Sequence, residues 1–184
     1  DKLKGRLALE KAYLQLSYGN IKLASDELTI VAAENSLPSW IRLRAAYLNG
    51  QLLYNQGRYS EASDHFQQVI DYKPKLEMDF YARKNLSYSL MNLGGEQEGA
   101  TTSLKHMLND GKYNPYYEQV YFILGGLCVN NNQLDDAISY YHKSVESPKT
   151  TRKQKAISFA GMGNALYLQH QYALAKAAYD SSVA

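Results

Sequence analysis

The residues able to do chemistry are few and scattered. The chain has 184 residues, with four histidines and one cysteine. Two imidazoles in an HExxH helix could hold a metal, paired cysteines could close a metal or redox site, and a glycine-rich loop before a helix could cradle phosphate. None of these patterns is present. His65, His106, His142 and His170 fall at different phases of the repeat described below, so nothing brings them to one place. Cys128 stands at an apolar position equivalent to Leu53, Met91 and Leu166, and reads as a small buried hydrophobe rather than a nucleophile. No catalytic residue, cofactor or metal ligand is expected. A basic cluster of Arg42, Arg44, Lys73, Lys75, Arg83 and Lys84 reads as a solvated face balanced by Glu77 and Asp79. "TTRKQK", residues 150–155, reads as a solvated helix start. What remains is tyrosine, of which there are 17.

The composition narrows the classes of function. With 20 basic and 18 acidic residues the charge is nearly balanced. That argues against nucleic-acid binding, which needs a basic face. The apolar share is 45%, yet the mean hydropathy is negative, because tyrosine counts as apolar while carrying a hydroxyl. No run of about 18 apolar residues exists, so no membrane span is expected. One cysteine cannot close an internal disulfide; it allows a reducing compartment and does not exclude an oxidising one. The chain starts at Asp1 without a signal-like stretch and stops inside a helical pattern, so it reads as a piece of a longer protein.

Internal repetition supplies the elements that must position any site. Ala24, Ala62, Ala100, Ala137 and Ala175 follow one another at intervals of 38, 38, 37 and 38 residues. Twelve positions before each stand Ala12, Gly50, Tyr88, Gly125 and Gly163. Four positions after each stand Leu28, Phe66, Leu104, Tyr141 and Tyr179. Five before stand Gly19, Gly57, Gly95, Asn132 and His170. Small residues let two helices cross closely, so the column led by Ala12 should touch the alanine anchors, with the large residue filling the hole beside them. Gly and Asn tolerate the left-handed conformation that ends a helix. Tyr88 is too large for such a crossing; its ring swings out, or its pair is splayed or shifted in phase. Pro38, Pro74, Pro115 and Pro148 all fall between pairs, where proline is tolerated. In "YNPYYEQ", Asn114 is placed to cap and Pro115 to open a helix. The pattern predicts an all-α chain of ten helices in five helix-turn-helix pairs.

These columns resemble the tetratricopeptide repeat family. The resemblance rests on "GQLLYNQGRYSEASDHFQQV" from Gly50 with Pro74 after it, on "LGGLCVNNNQLDDAISYY" from Leu124, and on "MGNALYLQHQYALAKAAY" from Met162. It implies a right-handed superhelical solenoid of about five repeats with a period of 37–38 residues. The repeats run over 5–42, 43–80, 81–117, 118–155 and 156–184 as one array spanning 1–184. The period exceeds the family's usual 34; the surplus falls between pairs. The family uses its concave face, lined by the first helix of each pair, to bind peptides or proteins. By that mapping the groove candidates are Arg6, Leu9, Tyr13 and Leu16, then Arg44, Tyr47, Gln51, Tyr54 and Asn55. Asn85, Ser89 and Asn92 follow, then Phe122 and Asn130 beside Gly126, then Asn164 and Tyr167. The expected partner is a protein or peptide, met by amides that bond a backbone and tyrosines that give area at low entropy cost.

Chaperone-binding members hold a C-terminal carboxylate with lysine, asparagine and arginine. Here those positions carry Leu9, Tyr13, Leu48, Ala82 and Leu86, so that clamp is absent. A narrower resemblance lies in "YKPKLEMDFYARKN", residues 72–85, approached by "WIRLRAAYLNGQLLY", residues 40–54. It is similar to a junction in large tetratricopeptide lipoproteins of the Bacteroidetes type IX secretion and gliding machinery, matching at Pro74, Glu77, Met78, Phe80, Ala82, Arg83 and Asn85. Leu76 departs from it where that family tends to have tyrosine. This resemblance implies a scaffold anchored at the outer membrane with its repeats in the periplasm. The alternative is a cytoplasmic peptide-sensing module attached to a kinase or transcription regulator. The parent protein's other segments separate the two.

Overall fold

The computed structural model describes residues 2–94 and 98–183. Among them the chain forms ten α-helices and one 3-10 helix, with no strand. It divides into two compact units, Asp1–Leu93 and Gly94–Ala184. The first holds α1 (Lys2–Ser17), α2 (Ile21–Ala33), α3 (Ser39–Asn55), α4 (Tyr59–Asp71) and α5 (Leu76–Leu93). The second holds α6 (Glu98–Asn109), α7 (Tyr117–Asn130), α8 (Leu134–Glu146), α9 (Arg152–Leu168) and α10 (Tyr172–Val183). The boundary falls within the third pair, the one that carries Tyr88.

In the first unit each helix packs on the next, and α1 also touches α3, as α3 touches α5. In the second unit α7 to α10 pack in sequence, with α7 also against α9. Contact between alternate helices makes the odd-numbered helices of each unit one continuous layer. The alanine anchors sit in the seam: Ala24, Ala62 and Ala137 are fully buried. Phe66 and Leu104 are buried one turn later.

The large residue fills the space beside the small column, as expected. A Cβ added at Gly50 would lie 2.8 Å from the Phe66 ring, at Gly125 2.7 Å from Tyr141, and at Gly163 2.7 Å from Tyr179. In each case the nearest atoms belong to the large residue sixteen positions on, not to the alanine anchor. Helical side chains lean toward the helix N-terminus, over the preceding turn. The ring at 66 therefore lies over the level of Ala62 and takes the space above Gly50.

The turns within pairs are left-handed where the column requires it. Gly19, Gly57, Asn132 and His170 have φ of +75°, +75°, +58° and +62°. His170 accepts that conformation although it is neither Gly nor Asn. Gly95 lies outside the described residues; its neighbour Gly94 has φ +67°. The four prolines lie in the longer connections between pairs. Pro115 does not open α7: it sits inside the 3-10 helix Gly111–Tyr116. The cap there is Asp110, whose carboxylate accepts from the Lys112 N–H, and not Asn114. Thr151 caps α9 by accepting from Gln154 N–H at 3.1 Å.

Candidate functional site

The odd-helix layer of the first unit carries two adjoining hollows. The first, about 540 Å³, is lined by Arg6, Leu9, Glu10 and Tyr13 of α1 and by Trp40, Arg44 and Leu48 of α3. The second, about 420 Å³, is lined by Leu16, by Leu48, Gln51, Leu52, Tyr54 and Asn55 of α3, and by Phe66 and Asn85. Leu48 borders both. The layer therefore brings together Arg6, Tyr13 and Arg44 in one hollow and Gln51, Tyr54 and Asn85 in the next. Glu10, Trp40, Leu52 and Phe66 line these hollows without being groove candidates by sequence, and Leu48 enters there only as a clamp position. The signal was present for Trp40, which lies one helical turn before Arg44 on the same face.

Bonds across the layer follow the repeat. Asn85 donates to the Tyr47 hydroxyl at 3.4 Å and Asn92 to the Tyr54 hydroxyl at 3.2 Å. Each bond joins equivalent helices of successive pairs. Tyr47 itself lies half-buried, edge-on to Phe66 with centroids 6.0 Å apart. Burial raises its phenol above the ordinary range, while the Asn85 hydrogen bond works in the opposite direction. Tyr88 is pushed up to about 12 by burial, with the Tyr54 phenol adding to the effect.

Ser89 corrects the sequence reading. It is fully buried, and its hydroxyl donates back to the Asn85 carbonyl at 2.9 Å. A serine inside a helix can turn its hydroxyl onto the carbonyl four residues back, which removes it from any surface. In the second unit Phe122 packs on Tyr141, centroids 5.6 Å apart, beside the core. Asn164 is exposed and accepts from the Tyr179 hydroxyl at 2.7 Å. Tyr167 is 57% exposed and meets Tyr172 edge-on.

Much of the basic cluster is taken up locally. Arg42 donates to Asn35 at 2.7 Å and lies over the Tyr72 ring. Arg83 pairs with Asp79 at 3.1 Å, and Lys84 lies over Tyr81.

The other face of the first unit has a hollow of about 500 Å³ along α2 and α4. Its floor is a polar network that sequence reading missed. Asn49, fully buried on α3, accepts from the Ser25 hydroxyl at 2.6 Å and donates to Thr29 at 2.8 Å. Its amide also approaches His65 Nε2 at 3.0 Å. Because the Asn49 amide nitrogen can only donate, Nε2 is the acceptor and the His65 proton sits on Nδ1. Burial lowers the His65 pKa against the opposing pull of Gln68, Asp64 and Glu61. His142 pairs with Glu146 and His170 with the Tyr172 hydroxyl, each in its own surroundings. The Cys128 thiol is buried and held above its usual value by that burial.

Residues 43–76 match the family model of the tetratricopeptide repeat. No curated protein sequence matches the chain. Several solved structures share its fold. MamA from Desulfovibrio magneticus RS-1, residues 41 to the end, superposes with a TM-score of 0.68 at 18% identity, covering 98% of this chain and 93% of that one. BtubC from P. vanneervenii gives 0.70 at 14% identity, over 93% and 75%. YrrB, described as a TPR protein with an unusual peptide-binding site, gives 0.61 at 18% identity, over 96% and 83%. At these identities the likeness defines the fold: helical pairs packed in succession, of the kind built by tetratricopeptide repeats. Among the described residues no helix is long and apolar enough to cross a membrane.

Proposed function

We propose that the chain is a non-catalytic interaction module that binds an extended segment of a partner protein along α1, α3 and α5. On this reading all five segments, 5–42, 43–80, 81–117, 118–155 and 156–184, are tetratricopeptide-like repeats. The observation that carries it is the pair of adjoining hollows on one layer, lined by side chains from three successive first helices. An extended peptide suits that surface because its length matches successive hollows and its backbone can take amide hydrogen bonds. The peptide-binding neighbour YrrB shares the fold and lends support by analogy.

The test is affinity capture with photo-crosslinkers placed in turn at Gln51, in the groove, and at Asp64, on the other face. Partners that crosslink from Gln51, and are lost with Tyr54→Ala and Asn55→Ala together, support the groove. Partners that crosslink only from Asp64 overturn it. The narrower placement, a scaffold in an envelope secretion and gliding assembly, rests on the sequence resemblance at residues 40–54 and 72–85 alone. Recovery of signalling or transcription proteins as the specific partners would replace it with the regulatory alternative.

A further inference from the structure

Arg6 and Arg44 hold the same position in successive repeats, 38 residues apart, and line the same hollow. Both are exposed. Among the described residues neither forms an ion pair, whereas Arg58 is held by Glu61 and Arg83 by Asp79. The Arg6 guanidinium lies 5.8 Å over the Trp40 ring, and Trp40 still leaves 43% of its surface to solvent. Tyr13 beside it is 71% exposed. Among the described residues Glu10 is the only acid lining the hollow, so the lining side chains carry one net positive charge.

We propose that this hollow holds an aspartate or glutamate side chain of the bound peptide, with a bulky apolar residue next to it against Trp40 and Tyr13. The proposal rests on the peptide-binding reading above. Two guanidinium forks can each offer parallel donors to a carboxylate, the geometry in which arginine binds most strongly. One net positive charge matches a carboxylate at −1 better than a phosphate, which carries −1.5 to −2 at neutral pH. The adjoining hollow has no charged side chain. There the amides of Gln51 and Asn55, which among the described residues make no side-chain hydrogen bond, remain to bond the peptide backbone. Leu48 joins the two hollows, so a single chain can place its acid in the first while its backbone continues into the second.

The test is fluorescence anisotropy with labelled nonapeptide pools, acetylated at the N-terminus and amidated at the C-terminus. Positions four and five are fixed and the rest are mixtures of uncharged residues. Asp-Phe, Asn-Phe, phosphoserine-Phe and Asp-Ser pools are compared, along with an Asn-Phe pool left with a free carboxylate. The Asp-Phe pool is expected to bind at least about tenfold more tightly than Asn-Phe, as loss of a charged hydrogen-bonding partner requires. The Asp-Ser pool should lie between, and 0.5 M salt should erase most of the difference. Arg6→Gln with Arg44→Gln should abolish the preference of Asp-Phe over Asn-Phe while leaving the urea midpoint in place. The proposal is overturned if Asp-Phe and Asn-Phe bind alike, if the preference survives the arginine changes, or if phosphoserine or a free carboxylate binds best. Equal binding that Gln51→Ala with Asn55→Ala still weakens removes only the acid preference. Binding by no pool, or binding unmoved by those amide changes, removes the groove reading as well.

Discussion

Gly50→Ala is a sharp probe of the packing between helices of a pair. The new Cβ would lie 2.8 Å from Phe66 Cε1 and 3.0 Å from both Cδ1 and Cζ. Phe66 is fully buried and held edge-on by Tyr47, so relieving the contact means breaking that packing and pushing the ring toward the second hollow it borders. Overpacking of this kind destabilises by about 1–3 kcal/mol. Alanine also favours a helix interior over glycine by about 1 kcal/mol. The net expectation is a loss of about 0–2 kcal/mol, too small to interpret alone, so the decisive quantity is a coupling. Phe66→Ala should cost about 3–5 kcal/mol and empty the space in question. Introduced into that background, Gly50→Ala should change sign and stabilise by about 1 kcal/mol, the bare helix preference. The coupling between the two sites is then about 1–3 kcal/mol. Urea unfolding followed by the fluorescence of Trp40, the only tryptophan, reads this unit directly because Trp40 and Gly50 share α3. Gly57 is the control. Its φ is +75° and an added Cβ would meet nothing within 4 Å, so Gly57→Ala should cost about 1–2 kcal/mol through the backbone and add to Phe66→Ala without coupling. If Gly50→Ala stabilises equally with and without the ring, the account of the small column is wrong.

Asn49→Ala should cost about 1–3 kcal/mol, since it strands Ser25, Thr29 and His65 together; a loss under about 0.5 kcal/mol would mean water replaces the amide without penalty. His65 gives the pH dependence. Above about 6.5, its ordinary value, both folded and unfolded chains hold it neutral and it contributes no slope. Below that, the unfolded chain takes up the proton first, because burial lowers the folded value. Stability should therefore fall as pH drops through that value, level off once the folded side chain titrates, and flatten in His65→Gln; acid titration of stability from pH 8 to 5 in both proteins checks it. Cys128 should react with a disulfide reagent only as the second unit opens, and a reaction rate equal to that of free cysteine at pH 8 would refute its burial. Tyr88→Phe should remove the phenol that ionises near about 12, seen as a missing high-pH step in the ultraviolet titration.

The architecture was legible because its determinants repeat. A column of small residues, a column of rings and a column of left-handed turns each recur with the period, and even His170 obeys its column rather than its own preference. The contact logic was legible only in part. The columns show that a large residue fills the hole beside Gly50, but not that the Phe66 ring alone supplies the three nearest atoms there. The 3-10 helix around Pro115 escaped because Asp110 caps four residues earlier than the Asn-Pro step suggests. Asn49 escaped for a different reason. Its partners Ser25, Thr29 and His65 stand 24, 20 and 16 residues away on other helices, so no local pattern announces the network. Ser89 and Phe122 had the right register for a surface, yet the backbone carbonyl of Asn85 and the ring of Tyr141 claim them.

This division between fixed and free positions explains why the fold reads more easily than the site. The seam constrains volume to the width of a methyl group, because a Cβ at Gly50, Gly125 or Gly163 would overlap a ring. The layer of odd helices constrains far less. Arg6 and Arg44 occupy one repeat position and are exposed, whereas Ala82 at the same position is buried in the core, so the column is open to cations only in the first two pairs. On the peptide-binding reading, recognition would be set at such exposed positions, where substitutions cost the fold little, and the period that reveals the scaffold carries no information about them. What does carry information is a departure from neutrality: two arginines of successive repeats left without a counter-ion at an exposed tryptophan. Arg58 and Arg83 are each paired with an acid and Arg42 with an amide, so the charge of this pair is the feature a partner would have to answer.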